Sequence, residues 1–297
     1  MSHHTSTASP QLSIPSPALW LVVASLLILV FPHQVDARGN FANKVIKTKI
    51  VRVIDGDTFE LASGDSVRLL HVNTPETGEV GADEATELCR ALIENKEVEI
   101  HFGEVFEDHY GRLLAEVRAE GKNLNETLVR AGFAHAFFIP PVPAESQTRL
   151  VKAQIAARKA NVGIWKDDPR YAGTFHITSF KHNAPGDDRE NLNGEYVRIA
   201  NIGSTPANLK GYKLLNQYED GAVLPSIRIP VGRTVKIRVG SGKSQLLPRK
   251  GQQSIHLGRT RPLWSNDGDE AILMRPDGVI EDRVPSKKRR SSKKRRR

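Results

Sequence analysis

Three short segments of this chain hold the side chains best suited to chemistry on phosphate. Residues 53–60 read VIDGDTFE, residues 67–76 read VRLLHVNTPE and residues 108–112 read DHYGR. They combine acids, an amide and arginines near the predicted ends of strands. Asp57 leaves a tight Asp-Gly turn, and Arg68 lies on the next predicted strand. The sequence therefore predicts that oxygen donors and guanidinium groups share one region of the fold.

The oxygen donors suit a hard cation, and the arginines suit a phosphodiester. Two acids and one amide supply the oxygens, namely Asp57, Glu76 and Asn73. Ca²⁺ prefers such hard oxygen ligands. Arg68 and Arg112 can each donate two parallel hydrogen bonds to phosphate oxygens. A carboxylate that the metal does not use could orient or deprotonate water. This combination indicates metal-assisted chemistry on phosphodiesters.

The elements that must position these segments form a small β structure. Three strands joined by two tight turns are predicted over residues 44–72, and a helix near 82–94 follows. The helix places Cys89 on an apolar face, where a single thiol is most simply a small core residue. Further strands are predicted over 96–102 and 112–118. Five strands with an inserted helix are compatible with a closed barrel of the OB type.

Two helices are predicted after the fifth strand. The first begins at Asn123, a capping residue with Glu126 three positions on, and ends at Gly132. The second covers 146–162. It has Leu150, Val151, Ile155 and Ala156 inward and Arg149, Lys152, Arg158 and Lys159 outward.

The chain changes character near residue 173, where helical periodicity stops. Short runs of alternating apolar residues are separated by Gly, Pro, Asn and Asp, which is typical of an all-β sandwich. The runs lie at residues 175–180, 195–201, 210–216, 234–239, 271–275 and 279–282.

At residues 44–166 the sequence closely resembles the staphylococcal nuclease family. The resemblance rests on the DGDT turn, the strand end R-L-L-x-V-x-T-P-E and the Y-G-R turn, which occur in order at compatible distances. It implies a Ca²⁺-dependent nuclease that hydrolyses DNA and RNA with little sequence preference.

The resemblance also implies a role for each matching position. Asp57 would be a direct calcium ligand, and Thr74 would supply a backbone carbonyl to the metal. Glu76 would be the general base that acts on water. The phosphate would be bound by Arg68 and Arg112, and the nucleotide would lie close to Tyr110.

Three departures from the family pattern bear on activity. Asn73 stands where a second metal-binding aspartate is expected, so weaker metal affinity or a shifted metal preference is predicted. The aromatic pair that contacts the nucleotide falls at Phe138 and Pro140, so different base contacts are expected. A buried core position is predicted for Phe138, and stacking of a base on its ring is the alternative. The loop between Glu76 and Arg112 is shorter than in the family pattern.

Residues 173–285 resemble a lamin-tail domain, an immunoglobulin-like β-sandwich. The matching segments read EYVRIAN at 195–201, LKGYKL at 209–214 and LWSNDGD at 263–269. The resemblance does not indicate a ligand, and Tyr212 and Trp264 are expected in the core.

The ends of the chain carry separate signals. An apolar stretch at residues 18–31 precedes a small-residue site at Ala37, which predicts a cleaved secretory signal over 1–37 or, because Lys and Arg are absent before the stretch, an uncleaved anchor. Either one would export the protein. The last eleven residues hold nine of the 43 basic residues, which leaves 34 basic against 34 acidic residues elsewhere. Such a tail is a solubilising terminus or binds an anionic surface or nucleic acid.

The predicted organisation is a signal at 1–37, a nuclease-like barrel at 44–166, a linker at 167–172, a sandwich at 173–285 and a basic tail at 286–297. A monomer is expected, with DNA and RNA as substrates. The main alternative is a non-catalytic module that binds nucleic acid or an anionic surface. A third hypothesis is a surface or matrix protein whose sandwich has the main role.

Overall fold

The structure is a computed structural model and describes residues 41–246 and 251–286. The predicted signal at 1–37 and residues 287–297 of the predicted tail lie outside the described residues, so both stay predictions. Among the helices of the described part, none is long and apolar enough to span a bilayer.

The first half of the described chain contains eight strands and four α-helices. The strands are β1 (Val45–Val53), β2 (Thr58–Leu61), β3 (Ser66–Leu69), β4 (Val72–Asn73), β5 (Glu97–Glu107), β6 (Leu113–Ala119), β7 (Lys122–Asn123) and β8 (His135–Ala136). The helices are α1 (Ala82–Ile93), α2 (Leu124–Ala131), α3 (Ala144–Ala160) and α4 (Ile164–Asp167).

Five of these strands close into a barrel. Hydrogen-bonded neighbours run in the order β3-β2-β1-β5-β6, and a parallel pairing of β3 with β6 closes the ring. Alternate residues of β6, namely Leu113, Ala115 and Val117, are buried in the barrel core. Cys89 of α1 lies in the same core. The predicted five-stranded OB-type barrel is confirmed.

Helix α2 begins and ends where the sequence predicts. The Asn123 side chain accepts a hydrogen bond from the Glu126 backbone N–H at 2.8 Å. Gly132 ends the helix in the left-handed conformation, with φ of 78°. A side chain there would also collide with the backbone of Val162, so two independent constraints require glycine.

Helix α3 differs from its prediction in the face that it buries. Ala156, expected inward, is exposed, and Arg158, expected outward, is half-buried. The Arg158 guanidinium donates to four backbone carbonyls, those of Tyr171, Ala172, Gly173 and Ile202. A charged residue is tolerated there because its donors are satisfied, and periodicity alone does not reveal such partners.

The second half of the described chain is almost entirely β. Its strands are β9 (Phe175–Lys181), β10 (Tyr196–Asn201), β11 (Ala207–Asn208), β12 (Lys213–Leu215), β13 (Gly221–Val223), β14 (Arg228–Ile229), β15 (Thr234–Arg238), β16 (Gln253–His256), β17 (Glu270–Met274) and β18 (Ile280–Pro285).

Two four-stranded sheets dominate this half. Their orders are β16-β15-β10-β9 and β13-β12-β17-β18. Trp264 is buried and Tyr212 packs against the core, as the sequence predicts. The β-rich second region is therefore confirmed. The sequence missed β11, β13, β14 and β16, whose two to four residues are too few to display a period.

The barrel and the sandwich belong to one compact unit. The segment predicted as a linker, 167–172, contains a 3₁₀ turn at Pro169–Tyr171, and Tyr171 is buried against Trp165. The Phe138 N–H donates to the Gly232 carbonyl at 2.6 Å. Gly232 has φ of 75°, and a Cβ atom there would lie 2.5 Å from the Phe138 ring. The two regions therefore share a packed junction.

Replacing Gln154 with leucine should destabilise this junction. The Gln154 side chain is fully buried in α3, where it accepts from the Ala136 N–H at 2.7 Å and donates to the carbonyls of Ile202 and Gly203. Leucine has a similar size but orphans a buried N–H, at a cost of about 1–3 kcal/mol. Calorimetry should show a Tm lower by roughly 3–10 °C.

The matched control for this prediction is Gln147→Leu on the same helix. Gln147 is half-exposed, so its replacement should change stability by less than about 0.5 kcal/mol. Equal Tm values for the two variants would contradict the role assigned to Gln154.

Candidate active site

Asp57 is fixed at the start of β2 by contacts from two directions. Its backbone N–H donates to the Asp55 carboxylate at 3.0 Å, which closes the turn. Its own Oδ2 accepts from the backbone N–H and the hydroxyl of Thr74, at 3.0 and 2.9 Å. A Cβ atom at Gly56 would lie 2.6 Å from Ala85 of α1, so the turn needs glycine for close packing. The carboxylate is therefore held rigidly.

Arg68 joins the predicted metal ligands to each other. Its Nη2 lies 3.1 Å from Asp57 Oδ2 and donates to Asn73 Oδ1 at 2.9 Å. Its Nη1 donates to the carbonyls of Leu69 and Val72, at 2.9 and 3.1 Å. Three hydrogen bonds and one ion pair thereby connect the guanidinium to protein oxygens. The guanidinium is consequently fixed in both position and plane.

The predicted metal ligands lie together in this cluster. Asn73 Nδ2 donates to the Thr74 carbonyl at 3.2 Å, while both residues contact the Asp57–Arg68 pair. The atoms that these residues could offer to a metal are all oxygens, which fits a hard cation such as Ca²⁺. Within the described residues, no three His, Cys, Asp or Glu side chains form a metal-binding group. These three oxygen ligands fit calcium, but only Asp57 brings a negative charge.

Asp55 is a residue that the sequence reasoning did not assign. Burial raises the pKa of its carboxyl group, and the charge of Asp57 raises it further. Two acids so close together repel each other, and a cation between them would relieve that repulsion. The signal was present in the sequence, because Asp55 is the first aspartate of the DGDT turn.

Arg112 is held by the turn that precedes β6. The Asp108 carboxylate accepts from Arg112 Nε at 2.9 Å and pairs with Nη2 at 2.8 Å. Burial alone would raise the pKa of Asp108, but hydrogen bonds from Arg112 and Tyr110 lower it below its usual value. The Arg112 guanidinium lies 5.6 Å from the centre of the Tyr110 ring, whose residue is 71% exposed. An aromatic ring and a cation thus face solvent together.

The two arginines come from neighbouring segments of the chain. Strand β3 pairs in parallel with β6, so that Arg68 is opposite Leu114. Arg112 lies immediately before β6, two residues before Leu114. The pairing therefore brings the backbone segments that carry Arg68 and Arg112 next to each other.

Glu76 lies in the loop after β4 and is exposed. Its backbone N–H donates to the Glu79 carboxylate at 2.8 Å. The other oxygen of Glu79 accepts from Arg170 at 3.0 Å, and Arg170 also pairs with Asp168 at 2.6 Å. The segment between barrel and sandwich thereby fixes the loop that carries the predicted general base. The sequence does not predict this connection between Glu79 and Arg170.

The positions of the expected aromatic pair face the sandwich. Phe138 and Pro140 are buried, and Phe138 packs on Gly232. Phe138 is therefore a core residue and is unavailable for stacking on a base. The neighbouring Phe137 is only half-buried and carries the Arg198 guanidinium 5.6 Å above its ring centre.

Comparisons with known proteins match both regions of the chain to family models. A family model described as Staphylococcal nuclease homologue matches residues 66–167, and one described as Lamin Tail Domain matches residues 169–288. Strands β1 and β2, which precede the first match, complete the barrel and carry Asp57 at their junction.

Three curated relatives are nucleases by name. A thermonuclease from Staphylococcus hyicus is 29% identical over 164 residues, which cover 50% of this chain and 96% of the relative. An uncharacterized endonuclease of Escherichia coli O157:H7 is 32% identical over 129 residues, covering 42% of this chain and 80% of the relative. Endonuclease YhcR of Bacillus subtilis is 33% identical over 135 residues, which cover 39% of this chain but only 11% of that protein.

Proposed function

Because the chain belongs to the staphylococcal nuclease homologue family, we propose that it is a calcium-dependent nuclease that hydrolyses phosphodiester bonds of DNA and RNA with little sequence preference. The observation that carries this proposal is the cluster in which Arg68 joins Asp57 to Asn73, on a strand that pairs with the strand directly after Arg112. A binding module would need the positive charge but not the oxygen donors beside it.

In this proposal each residue has one task. Glu76 accepts a proton from the attacking water, whose oxygen forms the new bond to phosphorus. The bond from phosphorus to the leaving oxygen breaks, and that oxygen takes up one proton, so one water is consumed. Arg68 and Arg112 bind the non-bridging oxygens and stabilise the charge that develops on them. Tyr110 lies beside the nucleotide.

Asp57, Asn73 and the Thr74 carbonyl would hold the calcium ion. When bound, the ion would supply positive charge that polarises the phosphate. The chain's own contribution is to preorganise these oxygens, because the bonds from Thr74 and Arg68 fix Asp57 before any ligand arrives.

The test is cleavage of single- and double-stranded DNA by the purified chain in calcium and in chelator. We expect cleavage in calcium only. Glu76→Gln should lower kcat by about 10²–10⁴-fold, the usual contribution of a positioned general base. The matched control is Glu84→Gln, since Glu84 is an exposed residue of α1, and it should retain full activity.

The same assay decides between the nuclease and the non-catalytic module. Binding without cleavage in calcium, magnesium and manganese would favour the module. Asn73 is the residue that favours it, since an amide brings no charge to the metal.

A further inference from the structure

One sheet of the sandwich has an outer face that is basic. In β10, Val197 and Ile199 point into the core, so Tyr196 and Arg198 point outward. Strand β15 repeats the pattern, with Lys236 and Arg238 outward. The register places Arg198 directly opposite Lys236, and Tyr196 between Arg238 and Lys181 of β9. We call the cations Lys181, Arg198, Lys236 and Arg238 the basic sheet face.

Among residues 41–246 and 251–286, the like charges on this face have no acidic ion-pair partners. In the described part of the chain, no carboxylate forms an ion pair with any of these four cations. Burial lowers the pKa of Lys236 to about 8, and the charges of Arg198, Arg238 and Lys181 contribute to the shift. Like charges directly opposite on neighbouring strands destabilise a sheet. An anionic ligand would offset that repulsion.

Aromatic rings and neutral groups hold the cations in place. The Lys236 ammonium lies 4.2 Å from the centre of the Tyr196 ring. Arg238 donates to the Asn193 carbonyl at 2.6 Å, and Arg198 donates to the Gln252 side chain at 3.2 Å. These contacts restrict the side chains without neutralising them. The face is therefore preorganised and keeps its charge.

The basic sheet face adjoins the candidate active site. Arg198 lies over Phe137, which directly follows β8, the strand paired with β4. The Phe137 N–H donates to the His71 carbonyl at 2.8 Å, two residues before Asn73. Burial lowers the pKa of Arg198, and Tyr110 and Arg68 are among the groups whose charges act on it. Groups of the candidate active site therefore interact electrostatically with Arg198 of the basic sheet face.

We propose that the basic sheet face extends the candidate active site and binds backbone phosphates of the nucleic-acid strand beyond the scissile position. The inference rests on the proposed function, since it assumes that a strand lies over Arg68 and Arg112. Charge complementarity and continuity with the site identify the occupant as that strand. The sandwich then contributes to substrate binding and has no part in bond cleavage.

The first experiment measures binding of a fluorescent single-stranded oligonucleotide of about 20 nucleotides to the full chain, in chelator, across a series of salt concentrations. The test variant is Lys236→Ala with Arg238→Ala. Each phosphate contact to a single strand contributes roughly 0.7 to the slope of log K against log salt. The slope should therefore fall by about 1.4, and affinity at 0.1 M salt should fall on the order of tenfold.

The matched control is Lys210→Ala with Lys213→Ala. These lysines are exposed, belong to the same sandwich and carry the same total charge, but Lys213 lies on the other sheet. The control should keep the parent slope. Calorimetry on both double variants would show that each is folded.

Cleavage kinetics separate this inference from the proposed function. In calcium, the test variant should raise KM for the long oligonucleotide and leave kcat and the cleavage of a dinucleotide unchanged. Equal slopes for test and control, with a parent that cleaves, would overturn the inference alone. A parent that never cleaves would overturn the proposed function, while the chelator binding data would still report on the face. Binding of the same variants to anionic phospholipid vesicles is the last measurement. If the test variant lost binding to vesicles but not to the oligonucleotide, the face would be a membrane-binding surface and the inference would be overturned.

Discussion

Replacing Arg68 with alanine should lower kcat by at least about 10²–10³-fold, the usual cost of removing one preorganised donor to a charged transition state. The side chain has two connected tasks. Its Nη2 contacts both Asp57 and Asn73, and in the proposed function its positive charge binds the phosphate. Alanine removes both at once and leaves the buried Asp57 carboxylate without its ion-pair partner.

Arg52→Ala is the matched control. Arg52 lies on the same barrel, is exposed and pairs with Glu60 at 2.7 Å. Its loss should leave kcat unchanged, because exposed ion pairs contribute little. Steady-state kinetics on single-stranded DNA in saturating calcium give the comparison. If Arg68→Ala kept more than about a tenth of parental kcat, the phosphate-binding role of Arg68 would be wrong.

Replacing Asn73 with aspartate should improve calcium binding on the order of tenfold, since ligand charge is one of the properties that tune calcium affinity. The new carboxylate would join Asp57 in the cluster. In chelator it should cost stability, because it would lose the hydrogen bond from Asn73 Nδ2 to the Thr74 carbonyl and add a third acid to a cluster in which Asp55 and Asp57 already repel each other. Calcium should therefore raise the Tm of the variant by more than it raises the Tm of the parent.

Calcium titrations followed by calorimetry and by cleavage rate provide two readouts of this change. Asn95→Asp is the control, since Asn95 lies in the turn between α1 and β5. Equal calcium dependence in parent and Asn73→Asp would mean that position 73 does not contact the metal.

The sequence predicts the barrel well, and it also predicts that Asp57, Asn73 and Thr74 lie close together, because the motifs involved are local signals. The DGDT turn and the alternating strands are contiguous, and each has a direct steric or hydrophobic cause. The contacts of Arg158 and Arg170 have no such signal. Arg170 reaches Glu79 across 91 residues, and its pairing is decided by the way the barrel and the sandwich pack.

The burial pattern of α3 illustrates the same limit. Counting apolar residues places Ala156 inward and Arg158 outward, and the structure does the reverse. The backbone carbonyls that Arg158 satisfies belong to a segment whose course is unknown from the sequence. Periodicity measures hydrophobicity, whereas burial of a charge depends on partners. The prediction therefore fails where polar contacts replace apolar ones.

The contact between Phe138 and Gly232 limits the exchange of domains between proteins of this kind. The two family matches meet between residues 167 and 169, which suggests two modules that could be exchanged by cutting there. A cut at that point would bare the Phe138 ring and leave Gln154 and Arg158 without their acceptor carbonyls. A different sandwich joined to this barrel would need a left-handed glycine at the place of Gly232 to accept the Phe138 ring. This barrel and this sandwich should consequently be engineered as a pair.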